Sequence, residues 1–183
     1  MKKLSLILFN ILFFFLINFS VSFSAKLNKF ISGAAKVIDG DTIKIDGTSI
    51  RLFGIDAPEK NQLCVKKNDT YNCGSISTKA LKKYVGREKI KCSYTEKDRY
   101  DRILGICYFP YDSSKLSLNR YMVHSGHAVA YKRYSKKYLD SEKWARDNHL
   151  GMWQGNFERP EKWRKKSRRF IMFKRVEKQI FIY

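Results

Sequence analysis

The stretch from 37 to 59, V-I-D-G-D-T-I-K-I-D-G-T-S-I-R-L-F-G-I-D-A-P-E, constrains this chain more than any other. Apolar residues alternate at Ile43 and Ile45, then at Ile50 and Leu52, with Asp46 and Gly47 between them. Two period-two runs separated by Asp-Gly predict a β-hairpin with a tight turn. The acids Asp39, Asp41, Asp56 and Glu59 stand at its margins, with Arg51 inside the second strand. A hairpin brings Asp41, near the start of the first strand, close to Asp56, just past the end of the second. Carboxylates held together repel, so the pairing makes sense around a hard cation, and calcium takes about six to eight oxygen ligands, waters included. Arg51 is one residue off the Ile50/Leu52 face, so alternation aims it away from the apolar side. A guanidinium beside a cation site matches two phosphate oxygens at once. Each piece alone has an ordinary explanation. D-G-D is commonly a turn, D-A-P-E ends a strand because Pro58 cannot donate to a ladder, and a strand arginine is commonly solvated. The combination in this order is far more specific.

With D-G-D-T at 39–42, R-L at 51–52, D-A-P-E at 56–59 and D-R-Y-D-R at 98–102, the chain resembles the thermonuclease family of staphylococcal-nuclease-like domains. The resemblance covers about residues 35 to 153. It implies an α+β fold, an OB-fold-like five-stranded β-barrel with three α-helices. It implies that Asp41 and Asp56, with the backbone carbonyl of Ala57, hold Ca2+, and that Arg51 and Arg102 grip the phosphate. It further implies that Arg99 and Tyr100 hold a terminal phosphate and that Tyr131 stacks on a base. Glu59, directly after Pro58, is the candidate base or water-orienting group. Asp39 is expected to stand behind the ligands rather than among them. Two departures matter. The family's frequent threonine is Ala57 here, which keeps a backbone ligand and loses a hydroxyl. The family's glycine before the second clamp is Asp101, which puts an extra acid beside Arg102.

Hydrolysis of a phosphodiester needs a positioned water, charge neutralisation and an orienting metal, and these residues offer a group for each. The activity so implied is that of a phosphodiesterase, a calcium-dependent endo- or exonuclease on DNA and/or RNA. The alternative from another class is a catalytically inactive OB-fold module that binds nucleic acid. The formal charge of +20 fits either, since a large single-sign field favours a polyanionic partner, whether nucleic acid or an acidic membrane.

Residues 1–25 read as a signal peptide: Lys2 and Lys3 precede an apolar run, and Ser20, Ser22, Ser24 and Ala25 suit cleavage. Export to the periplasm or medium follows; an uncleaved N-terminal membrane anchor is the competing reading. Export makes the four cysteines readable as disulfides, with three possible pairings. Cys92 and Cys107 flank the 98–102 turn about symmetrically and so face each other across a hairpin. Cys64 and Cys73 would then close the loop between them. Zinc is disfavoured because no C-x-x-C occurs.

The pattern divides the chain into a leader (1–25), a nuclease-like domain (26–155) and a basic extension (156–183). Within the domain we expect a first strand at 34–38, the hairpin, a polar loop at 60–74 and a helix at 75–85 capped by Ser75 or Ser77. Strands at 89–94 and 103–109 follow, then a turn at 110–114, a helix at 116–125, an extended segment at 128–134 and a helix at 135–150. The extension is dense in cations and then apolar; a helix after Pro160 on nucleic acid, an anionic membrane contact and a partly disordered tail are all compatible with it. A monomer is expected.

Overall fold

Asp46 and Gly47 both have positive φ, 46° and 78°, so the expected tight turn joins β2 (Thr42–Ile45) to β3 (Thr48–Leu52) in antiparallel register, Ile43 opposite Ile50. The computed structural model of the protein describes residues 27–113 and 116–180, with the side chains of 171 and 173–180 excepted. The leader and the end of the 110–114 turn lie outside the described residues.

The first strand, β1 (Lys29–Val37), is longer than the alternation at 34–38 suggests. Its residues 29–34 pair with β7 (Lys89–Lys97) and 35–37 pair with β2, so one strand bends between two neighbours. β3 meets β8 (Ile103–Tyr108) in parallel, and β8 pairs with β7, which closes a barrel in the order β1-β2-β3-β8-β7. The inward positions are Ile43, Ile45, Ile50, Leu52, Ile90 and Ile103, all fully or almost fully buried. Burying such side chains is the main stabilising term, about 1.5–3 kcal/mol each. Cys92 and Cys107 are partners across β7 and β8 and form a disulfide inside this core.

The expected 60–74 loop contains a small hairpin, β5 (Leu63–Lys66) and β6 (Asp69–Asn72), closed by the Cys64–Cys73 disulfide. No glycine marks its turn; Lys67 takes the positive φ instead. Helix α1 (Cys73–Val85) begins two residues before the expected start. Its cap is Asn72, which accepts from the Ser75 amide at 2.7 Å, while the Ser77 hydroxyl donates to the His127 carbonyl.

Helix α2 (Leu118–His124) is followed by β9 (Val129–Ala130), which pairs with β4 (Ile55–Asp56). Only two residues of the expected extended segment are strand, because β4 offers two partners; Tyr134 and Ser135 then turn back onto the Tyr131 carbonyl. That turn delays α3 to Leu139–Asp147. A 3-10 turn (Gly151–Gln154) leads to α4 (Pro160–Ile180). The fold is thus α+β around a five-stranded barrel, with four α-helices among the described residues where three are expected. None of the helices among the described residues is long and apolar enough to cross a membrane.

Asn119, fully buried, joins the barrel to α2: its amide nitrogen donates to the Phe53 and Gly105 carbonyls and its oxygen accepts from the Cys107 amide. Asn119→Leu takes away the partner of the buried Cys107 amide and of the part-buried Phe53 carbonyl, while the Gly105 carbonyl keeps the Phe53 amide, and a buried orphan costs about 1–3 kcal/mol. Urea unfolding of this variant is expected to show a loss of at least ~2 kcal/mol at unchanged m-value.

Candidate active site

The hairpin register decides which side chains meet. Thr42 lies opposite Arg51, and the Leu52 amide donates to the Asp41 carbonyl at 2.8 Å, so Arg51 stands beside Asp41 at the barrel rim. Its Nη1 donates to Asp41 Oδ1 at 2.7 Å and its Nη2 to Asp56 Oδ1 at 2.8 Å. One planar guanidinium therefore spans both aspartates. Asp41 Oδ2 also accepts from the Ala57 amide at 2.9 Å, which ties the D-G-D loop to the D-A-P-E segment. Asp39 accepts from the Asp41 amide through Oδ1 at 3.0 Å and stabilises the turn from behind.

Glu59 follows on the same segment with its carboxylate partly open to solvent. Its backbone is clamped on two sides. Gln62, wholly buried, accepts from the Glu59 amide, and the Gln62 amide donates to the Glu59 carbonyl. On the other side, a Cβ at Gly74 would lie 1.8 Å from that carbonyl, so only glycine lets the start of α1 approach this closely.

Arg102 and the 98–102 turn form the facing wall. Asp101 occupies the left-handed region at φ 62°, the conformation that a glycine adopts freely. Its carboxylate pairs with Lys97 at 2.8 Å, and Arg102 pairs instead with Asp98, through Nε at 2.8 Å and Nη2 at 2.6 Å. Arg99 and Arg102 both lie over the Tyr100 ring, which is largely exposed. Tyr131 meets Tyr134 edge to face at the far end. Asp39, Asp41, Arg51, Ala57, Glu59, Arg99, Tyr100, Arg102 and Tyr131 all line one cleft of about 930 Å³. Asp56 is not on that lining: it lines a smaller cavity of about 200 Å³ that shares Tyr131 and Arg133 with the cleft, and it joins the cluster through its bond to Arg51.

One member of the cleft escapes the sequence reading. Arg164, in α4, donates from Nη1 and Nη2 to the two oxygens of Asp56, at 2.9 Å each, and from Nη1 to Glu59 Oε1 at 2.9 Å. In the sequence it is one cation among many, with Lys165, Lys166, Arg168 and Arg169 as neighbours. The readable signal is Arg159-Pro160, since proline favours the first helical position, and even that does not single out residue 164.

The electrostatics are those of crowded acids. Burial is the largest influence raising Asp56 above the ordinary carboxylate range, against the lowering pull of Arg164 and Arg51. Asp39 is pushed up to about 6 by burial and then by the Asp41 charge. Burial disfavours the Arg51 cation, but the Asp41 and Asp56 charges outweigh it and its pKa rises. Four carboxylates (Asp39, Asp41, Asp56, Glu59) face two guanidinium groups (Arg51, Arg164). With both guanidinium groups in place, the formal remainder of this group is two negative charges. Among the described residues no three His, Cys, Asp or Glu side chains form a ready-made metal cage; the side-chain and backbone oxygens of Asp41, Asp56 and Ala57 are the donors that could contribute to one. That donor set suits a hard cation.

Residues 49–155 match the family model described as Staphylococcal nuclease homologue. The chain belongs to this family. It is similar to the succinoglycan biosynthesis protein ExoI of Rhizobium meliloti (strain 1021), 34% identical over 131 residues, covering 70% of this chain and 67% of that protein. It is also similar to a micrococcal nuclease of Shigella flexneri, 33% identical over 147 residues, covering 73% and 79% respectively. An uncharacterized endonuclease of Escherichia coli is 35% identical over 126 residues, covering 64% of this chain and 73% of that protein. The staphylococcal nuclease homologue match ends at residue 155, so α4 and Arg164 lie beyond it.

Arg159 fixes the start of α4. It donates to Glu142 Oε1 at 2.5 Å and to the Ala130 carbonyl at 3.0 Å. Glu142 is almost fully buried. Arg159→Met leaves that carboxylate unpaired, and stability should fall by about 2 kcal/mol, below the usual cost of breaking a buried pair because Arg159 itself is partly solvated. Denaturant unfolding checks the loss, and hydrogen exchange should show faster opening of amides 161–168.

Proposed function

We propose that the chain is an exported, calcium-dependent nuclease that hydrolyses phosphodiester bonds of DNA and/or RNA. The observation that carries this reading is the gathering of Asp41 and Asp56 on the Arg51 guanidinium, beside a cleft that Asp41, Arg51, Glu59 and Arg102 line. The nuclease and endonuclease names of two relatives support the same class of reaction. The two disulfides support export.

In this reading Asp41, Asp56 and the Ala57 carbonyl hold the cation. When bound, calcium supplies positive charge to the phosphate and orders it for attack. The side chains do the rest. Glu59 accepts a proton from a water whose oxygen attacks phosphorus; the bond from phosphorus to the leaving oxygen breaks, and that oxygen takes a proton from solvent. Arg51 and Arg102 donate to the phosphate oxygens as charge builds on them. Each therefore gives up a carboxylate partner present in the free protein, Arg51 from the aspartates and Arg102 from Asp98. Arg99 and Tyr100 help hold a terminal phosphate, and Tyr131 offers a face on which a base stacks. The net positive charge draws the polyanion in, so affinity falls with salt.

Incubation of the mature protein with DNA and with RNA, in calcium or in EDTA, tests the reading. Cleavage in calcium that stops in EDTA is expected. Salt-dependent binding with no cleavage in either would establish a binding module instead. Glu59→Gln, Arg51→Ala and Arg102→Ala should each lose at least ~10²-fold in rate while remaining folded, the size expected for a lost base or charge-stabilising donor. Full activity of the Arg102 variant would remove that residue from the mechanism.

A further inference from the structure

Helix α4 lies outside the family match, yet it delivers a charge to the centre of the site. A carboxylate offers about four acceptor sites. At Asp56 three are filled, one by Arg51 Nη2 and two by Arg164. The same Arg164 Nη1 holds Glu59. Thus the group we assign to the cation and the group we assign to the water are both tied to a residue of the extension.

The attachment is not that of a loose surface side chain. Arg159 binds Glu142 and Ala130 one turn earlier. Gln62 donates to the Glu158 carbonyl at 2.6 Å. Val65 and Asn156 exchange backbone hydrogen bonds at 2.8 and 2.7 Å, so the disulfide-closed β5–β6 hairpin also grips the segment leading into α4. The helix start is fixed, and residue 164 follows one turn inside it.

A divalent cation on Asp56 would face the Arg164 charge across a single, buried carboxylate group, where like charges repel more strongly than in bulk water. Holding both would place two positive charges on one carboxylate with a single acceptor site left. We propose that Arg164 is a positioning residue that competes with the divalent cation for Asp56, so that the helix beyond the family domain sets the cation affinity of the site. This rests on the cation reading given above. In the free protein Arg164 stands in for the ion; when the ion binds, the guanidinium leaves Asp56 and Glu59, and Glu59 becomes free to take a proton from water.

Calorimetric titration of calcium into the full mature chain tests this directly. Arg164→Met keeps the length of the side chain and removes the charge and the fork. It should lower the calcium Kd at least ~10-fold, equivalent to 1.4 kcal/mol. Arg169→Met removes an exposed charge from the same helix and should leave Kd within about twofold, which separates direct competition from a general change in field. Arg164→Lys keeps the charge, loses the two-pronged contact and should fall between wild type and Arg164→Met. If Arg164→Met does not fold, Arg164→Lys decides. An Arg164 variant that binds calcium no more tightly than wild type, or an equal gain in Arg169→Met, overturns the proposal and leaves the nuclease reading standing. No calcium binding in any of the proteins overturns both.

Discussion

Arg51 sits between two buried aspartates, and the rest of the molecule can be understood from that contact. Asp41 and Asp56 belong to different segments and would repel if brought together uncompensated. The guanidinium that spans them is itself a strand residue, placed by the hairpin register at the rim where both segments arrive. Buried carboxylates without a partner would shed their charge rather than remain ionised. The fold therefore carries its own positive charge to the point where it concentrates negative charge, and it does so twice, with Arg51 from the barrel and Arg164 from the last helix.

The surrounding architecture holds this cluster from several directions. The closed barrel fixes β2 and β3, and Asn119 pins the Phe53 and Gly105 carbonyls just behind the site. The short β4–β9 pair fixes Asp56. Close approach at Gly74 and the buried amide of Gln62 fix the backbone of Glu59. The Cys92–Cys107 bridge lies in the barrel core, whereas the Cys64–Cys73 bridge stabilises the hairpin that reaches the 154–156 segment. One disulfide thus belongs to the fold and the other to the link between fold and extension.

Local chemistry made part of this legible in the amino-acid order. Alternation at Ile43, Ile45, Ile50 and Leu52 with Asp46 and Gly47 at the turn specified the hairpin, because period and turn type agree. The same alternation placed Arg51 opposite to the core. Helix starts and strand ends were less legible where tertiary contacts decide them. α1 starts at Cys73 because Asn72 caps it. The segment after Ala130 turns because β4 ends, which no local pattern announces. The β5–β6 hairpin has lysine where a glycine would have signalled the turn. Arg164 was hidden for a different reason. Its role depends on where a helix after Pro160 is docked, and the anchors that dock it, Arg159 with Glu142 and Gln62 with Glu158, are long-range pairs of residue types that usually face water.

Asp41 and Asp56 together are the proposed seat for a divalent ion, held in the free protein by arginine. The most direct measurement is an anomalous difference map from crystals of the mature chain soaked in calcium. A peak at about 2.3–2.6 Å from a carboxylate oxygen of both aspartates, with Arg164 turned away from Asp56, is the predicted result. A peak ligated elsewhere, or no peak with both arginines still on the aspartates at saturating calcium, would contradict it.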